Sequence, residues 1–286
     1  MVEARAGGWA ILARMEVRAG DVTLWARVEG KGPSTLLILH GGPGISSEPL
    51  FAFEALASDS LRVVWFDQRA TGRSGLPDRS HDPKSYDAEH FAGDVAAVLQ
   101  AVGASRAHLF GHSWGGLVAQ EVAALRPQLV QSLTLCCSIP PTRAAFDAGL
   151  QAMNAWHRTL QERGVIPDPI PDAFGPERLR AIWPRFFAAP HDVMPFSDTL
   201  TINPRMDLLT FATRKSWDHR EALRRLDAPS FVSMGALDRF GRGWFDEAVS
   251  ALPGARTQWL EQAGHFPWHE QPAAVFGALR EFLASC

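Results

Sequence analysis

The residues Gly111-His112-Ser113-Trp114-Gly115-Gly116 stand where a short apolar run, Ala107 to Phe110, gives way to a helical pattern, Leu117 to Leu125. A chain that leaves a buried strand and enters a helix within a few residues must turn sharply, and the small residues flanking Ser113 permit that turn. A serine held there is pushed out of the fold, its hydroxyl in reach of a substrate and of a base. Ser113 is therefore the candidate nucleophile, and the rest of the chain has to supply the groups that activate it.

The surrounding pattern is one of alternating strands and helices. Met15 to Ala19 and Thr23 to Val28 alternate apolar and polar around Gly20-Asp21, as a half-exposed hairpin does. Thr35 to Leu39 and Arg62 to Phe66 are apolar runs bounded by turn residues, the signature of strands buried on both faces. Helices are expected over roughly Pro49 to Ser58 and over Ala88 to Val102, the second stopping at Gly103. Val130 to Cys137, Ser230 to Met234 and Thr257 to Leu260 read as further strands, and Phe245 to Ala251 and Ala273 to Leu283 as further helices. That alternation predicts a mostly parallel central sheet with helices on both faces. Half of the 20 prolines fall between Pro140 and Pro204, with aromatic residues and no strand signal, a density expected to forbid long helices. The chain thus reads as an α/β core, residues 1–139 and 227–286, interrupted by a helical cap or lid over 140–226.

A serine nucleophile needs a base to take its proton and an acid to hold that base in the right tautomer. In an open α/β sheet both should stand at the carboxyl ends of later strands, where ligands bind. Asp238 follows the strand Ser230 to Met234, and His265 follows the strand Thr257 to Leu260. The turn after Val130 to Cys137 reads Ser138-Ile139-Pro140 and offers no carboxylate. His81, His90, His108, His157, His191 and His219 read as surface or core histidines, and Pro267 breaks the helical spacing of His265 and His269 that a metal site would need. Oxyanion donors are expected from the backbone N–H of Trp114 and from the loop His40-Gly41-Gly42-Pro43-Gly44, with Gly42 first and Gly41 as the alternative. His40, His112, Trp217 and Trp268 are candidate substrate contacts, His112 also fitting a packing role behind the nucleophile. Together with Trp114, Trp156 and Trp183, the tryptophans suggest an aromatic pocket for an apolar acyl group. Nothing in this chemistry calls for a metal or a cofactor.

Composition narrows the partners. With 46% hydrophobic and 21% charged residues and a net charge of -3, the chain reads as a globular protein with no electrostatic attraction to nucleic acid. Three cysteines in no disulfide or metal spacing suggest a reducing compartment. Trp9 to Leu12 is too short for a signal-peptide core or a membrane span, so a cytoplasmic protein without a membrane partner is expected.

The set HGGPG, DQRATGRS and GHSWGG, followed in order by Asp238 and His265, resembles the α/β-hydrolase superfamily, and HGGPG with DQR is similar to its proline iminopeptidase branch, peptidase family S33. The resemblance runs from about Thr23 to the end of the chain, the cap excepted. It implies an α/β-hydrolase fold, a Ser113-Asp238-His265 triad and an acyl-enzyme cycle that removes the N-terminal residue of short peptides. Two positions depart from the branch: Ala70 stands where glycine follows Asp-Gln-Arg, and His112 where glycine often precedes the nucleophile. The branch also implies acids that meet a substrate amine. No carboxylate adjoins Asp238, and the cap acids Glu162, Asp168, Asp172, Glu177, Asp207, Asp218 and Glu221 have no spacing that assigns one. A carboxylesterase or lactonase with the same machinery is the alternative, and a ligand receptor on the same fold a remoter one. Asp67, Arg69 and Arg73 read as structural residues of the turn after their strand.

Overall fold

A computed structural model describes residues 11–170, 175–189 and 193–286. Trp9, Asp172 and His191 lie outside the described residues. The strands are β1 Ile11–Ala19, β2 Val22–Glu29, β3 Ser34–Leu39, β4 Leu61–Phe66, β5 Ala107–His112, β6 Val130–Cys136, β7 Ser230–Gly235 and β8 Arg256–Leu260. They form one sheet in the order β1-β2-β4-β3-β5-β6-β7-β8. The leading hairpin pairs antiparallel, β2 lies antiparallel to β4, and from β4 through β8 all neighbours are parallel. Helices cover both faces of the central strands, so every residue of β5 is buried, and the polar His108 meets Ser132 of β6 in a hydrogen bond.

Before β6 and after β7 the helices are α1 Ala88–Ala101, α2 Trp114–Leu125, then α7 Arg242–Ala251, α8 Pro267–Glu270 and α9 Pro272–Ala284, and the segment between β6 and β7, where the cap is expected, supplies α3 Arg143–Glu162, α4 Pro176–Ile182, α5 Met206–Ala212 and α6 Arg220–Arg224. Asp87 caps α1 by accepting from the His90 N–H, and Phe91, Val95, Val98 and Leu99 turn one face of it to the sheet. The segment Glu48–Leu56 is a 3₁₀ helix rather than the expected α-helix, although Leu50, Phe53 and Leu56 are buried as an amphipathic helix would bury them.

Against the expectation from their number, the dense prolines do not forbid a long helix: the segment between β6 and β7 contains a helix of 20 residues, α3. Its sequence lies in the gap between Pro141 and Pro167, so the prolines delimit the helix instead of breaking it, and Thr142 caps its N-terminus by accepting from Ala145 N. The segment between β6 and β7 sits on the core through long-range contacts. Asn203 N donates to Gly44 O at 2.8 Å, and Arg214 grips Glu121 of α2 with two hydrogen bonds of 2.6 and 2.8 Å while donating to Tyr86 O. Both side chains of that ion pair are buried. Arg214→Leu should therefore lower the unfolding free energy by about 3–5 kcal/mol, because Glu121 would stay buried without its partner. Urea denaturation measures this, and a loss below about 1 kcal/mol would show that water reaches Glu121.

Candidate active site

The parallel register brings the carboxyl ends of β3, β5, β6, β7 and β8 to one edge: Leu39 lies beside Gly111, His112 beside Cys136, and Gly235 beside Leu260. Ser113 stands between β5 and α2 with φ 54 and ψ -118, left-handed backbone that a side-chain-bearing residue rarely adopts. Its neighbours hold it there. The Ser113 N–H donates to Cys136 O, and its carbonyl accepts from Gly116 N and Ile139 N. A Cβ at Gly115 would lie 2.0 Å from Leu39 O, so only glycine lets α2 start this close to β3.

Asp238 and His265 come together across a similar close approach. A Cβ at Gly235 would meet the Gly264 carbonyl at 2.2 Å, and Leu237 N donates to Ala263 O at 2.9 Å. The two loops after β7 and β8 are thus sutured, and His265 Nδ1 lies 2.7 Å from Asp238 Oδ2, both side chains buried. Asp238 Oδ1 also accepts from Phe240 N. The loop bearing His265 is fixed from two further sides. Its N–H donates to Phe186 O at 2.7 Å, and its carbonyl accepts from His112 Nε2 at 2.8 Å.

That last contact gives His112 a role. Its partner is a carbonyl, which only accepts, so the His112 proton sits on Nε2. Burial, and then the neighbouring His265, hold its pKa well below the ordinary histidine range, so the ring stays neutral. His112 braces the loop of His265 and also lines the cavity beside Ser113. Sequence distance hid this, since the two are 153 residues apart.

A Cβ at Gly41 would lie 3.2 Å from Ser113 Cβ, and Gly41 and Gly42 both border the cavity, Gly42 with φ 138. The loop carrying them is held by Gln68, whose N–H donates to His40 Nε2 and whose amide donates to His40 O. His40 is fully occupied in this way and is not among the described residues lining the cavity, which removes it as a substrate contact. Burial also lowers its pKa. Asp67 accepts from Ser47 and Arg73; burial pushes its carboxyl up, but Arg73 outweighs this and holds it below the usual range. Arg69 grips the buried Asp94 with bonds of 2.7 and 2.8 Å. These three residues shape the turn after β4.

Of the five tryptophans expected around the site, Trp183 alone is among the described residues lining the cavity. The Trp114 indole donates to Gln68 and packs edge-on against Phe91 and Phe211, and Trp114 is not among the described residues lining the cavity. Trp268 donates to Pro49 O beneath Phe53 and His112, and Trp217 donates to Pro140 O beside Phe146. Neither is among the described residues lining the cavity, because each ring is already used in packing. The cavity, about 460 Å³, is aromatic through other residues: Trp183, Trp244, Phe146, Phe186, Phe211 and Phe240, with Ser113 and His265 on its floor. Its polar lining includes Asn154, His157, Arg143, Arg178, Arg185 and Asp207. Of these only Asp207 and His157 were in view from sequence, and His157 as a surface or core residue; the others carry no spacing signal. Asp207 is the only carboxylate among the described lining residues, and burial raises its pKa. Among the other cap acids, Asp218 pairs with Arg220, Glu221 with Arg225, Asp168 accepts from Gln161, and Glu162 and Glu177 are exposed.

Among the described residues, Cys137, Asp238 and His265 are the group whose ligand atoms converge, within 4.8 Å. Their chemistry does not suit a metal. Burial pushes the Cys137 thiol well up, its Sγ donates to Gly264 O, and the His265 nitrogen nearest Asp238 is spent on that carboxylate. No helix among the described residues is long and apolar enough to cross a membrane.

Residues 34–169 match the family model described as alpha/beta hydrolase fold. RutD of Azorhizobium caulinodans, a proposed carbamate hydrolase, is 37% identical over 267 residues, covering 86% of this chain and 89% of its own. The proline iminopeptidase of Heyndrickxia coagulans is 24% identical, covering 95% of this chain and 98% of its own. Among solved structures, a proline iminopeptidase-related protein from Thermus thermophilus superposes with a TM-score of 0.71 at 26% identity, over 95% of this chain and 97% of that one.

Proposed function

The chain belongs to the α/β-hydrolase family, and from that premise we propose that it is a serine hydrolase that cleaves a small acyl substrate through an acyl-enzyme. The observation that carries the reading is the 2.7 Å contact between His265 Nδ1 and the buried Asp238, His265 lining the same cavity as a serine on left-handed backbone. Asp238 holds the Nδ1–H tautomer and so leaves Nε2 to take the Ser113 proton. The Ser113 Oγ attacks the carbonyl, and the N–H groups of Trp114 and of Gly42, or of Gly41, receive the developing oxyanion, each donor contributing about a hundred- to thousandfold. His265 then protonates the leaving group, and a water, deprotonated by the same ring, releases the acid.

Two substrate classes use this machinery. The resemblance points to short peptides with a free N-terminal amine, which would place a cation in a cavity whose described lining holds the desolvated Arg185 and a single acid, Asp207, whose pKa burial raises. That balance favours the second class, a small ester or lactone. Initial rates on a prolyl arylamide and on a short-chain aryl ester separate them: ester turnover over many cycles with negligible arylamide hydrolysis is the expected result. Efficient prolyl arylamide turnover would overturn the ester preference, and a single stoichiometric reaction with no cycling would favour a receptor.

A further inference from the structure

Arg185 is one of three arginines that border the cavity. It lies on the 3₁₀ turn Trp183–Phe186, and that turn is anchored to the catalytic loops through three consecutive carbonyls. Arg239, the residue after Asp238, donates to Arg185 O and Phe187 O at 3.1 Å each, and the His265 N–H takes the carbonyl between them, Phe186 O. Arg185 is therefore carried on a segment whose position relative to His265 is set by hydrogen bonds and not by a mobile loop.

Its guanidinium has an unusual set of neighbours. It stacks 4.6 Å over the Phe186 ring, donates through Nη1 to His157 Nε2, and keeps an Nε sealed from solvent with no hydrogen-bond partner among the described residues. His157 accepts through Nε2 and is therefore neutral; burial, then Arg185 and Arg178, push its pKa down to about 4. No carboxylate lies against Arg185 among the described residues, and burial, with Arg178 nearby, lowers even the guanidinium, to about 9. Arg143, which also borders the cavity, is paired with Asp147. A desolvated arginine whose only strong partner is a neutral ring is costly unless an anion completes it, and a planar guanidinium is matched to a carboxylate.

We propose that Arg185 is a specificity residue that binds a carboxylate on the substrate, so that the natural substrate is an anionic ester or lactone, such as a half-ester of a dicarboxylic acid. This rests on the serine hydrolase reading above and deepens it. Asn154 and His157, which line the same cavity, are placed to share that anion. The aryl ring of an ester leaving group would meet the aromatic side of the cavity, and the acyl carboxylate the Arg185 side.

The test is a series of mono-aryl esters of succinic, glutaric and adipic acids, each compared with the aryl ester of the corresponding monoamide, which has the same length without the charge. At one chain length kcat/KM for the acid should exceed that for the amide by about ten- to a hundredfold, the range of a hydrogen bond to a charged group. Arg185→Gln should bring that ratio to about one, chiefly through KM, and Arg185→Lys should retain part of it, which also serves if the glutamine variant does not fold. A ratio near or below one at every length in the wild type, or a ratio unchanged in Arg185→Gln, overturns the assignment. Ser113→Ala separates the two levels. Ser113-dependent ester turnover without acid preference sinks Arg185 alone, whereas no Ser113-dependent turnover of any ester sinks the hydrolase reading itself.

Discussion

Ser113→Ala is expected to lower kcat on the best ester by about a millionfold while leaving the melting temperature within a few degrees. The magnitude follows from what the serine does: without Oγ no acyl-enzyme forms, and water must attack directly with no oriented nucleophile. Oxyanion donors and binding would still act, leaving about a thousand- to ten-thousandfold over the uncatalysed rate. Stability should change little because the left-handed backbone at Ser113 is imposed by its surroundings, by Cys136 O, Gly116 N and Ile139 N, and not by the hydroxyl. Steady-state rates on purified variant, with a thermal melt as control, measure both. A variant within tenfold of wild type would remove Ser113 from the mechanism.

The second large effect is at Asp238. Asp238→Asn keeps the size of the side chain but can present an amide N–H₂ to His265 Nδ1, now 2.7 Å from a carboxylate oxygen that only accepts. The imidazole would then carry its proton on Nε2, where it cannot take one from Ser113, and kcat should fall by about ten-thousandfold. The loss should be smaller than for Ser113→Ala, because the nucleophile survives. Asp238 is buried among Phe240 N and the sutured loop, so the fold should persist. Activity above about a tenth of wild type would mean that another group orients His265. Cys137 is a candidate, since its Sγ lies within 4.8 Å of ligand atoms of both.

The way these residues meet was partly legible. That Asp238 and His265 meet at one sheet edge was readable because the strands that precede them are apolar runs, and runs buried on both faces pair in parallel with their carboxyl ends at one edge. The sharp turn at Ser113 was readable because glycines at a strand-to-helix junction admit a close approach, which the 2.0 Å clearance at Gly115 makes literal. The cap was read less well. Proline density marked a region without strands but could not tell that the interval between Pro141 and Pro167 would carry α3 unbroken.

The sequence by itself determined the periodic and local features: strand and helix placement, the elbow at Ser113, and the placing of Asp238 and His265 after the strands that precede them. These depend on propensity, turn chemistry and apolar period, all of which act over a few residues. Tertiary structure alone decided which side chains face the cavity. Trp114, Trp217 and Trp268 turn away because Gln68, Pro140 and Pro49 offer their indoles hydrogen bonds in the packed interior. Arg185 borders the cavity on a turn that Arg239 holds at the Arg185 carbonyl and His265 at the Phe186 carbonyl, from loops far along the chain, contacts that no local pattern encodes.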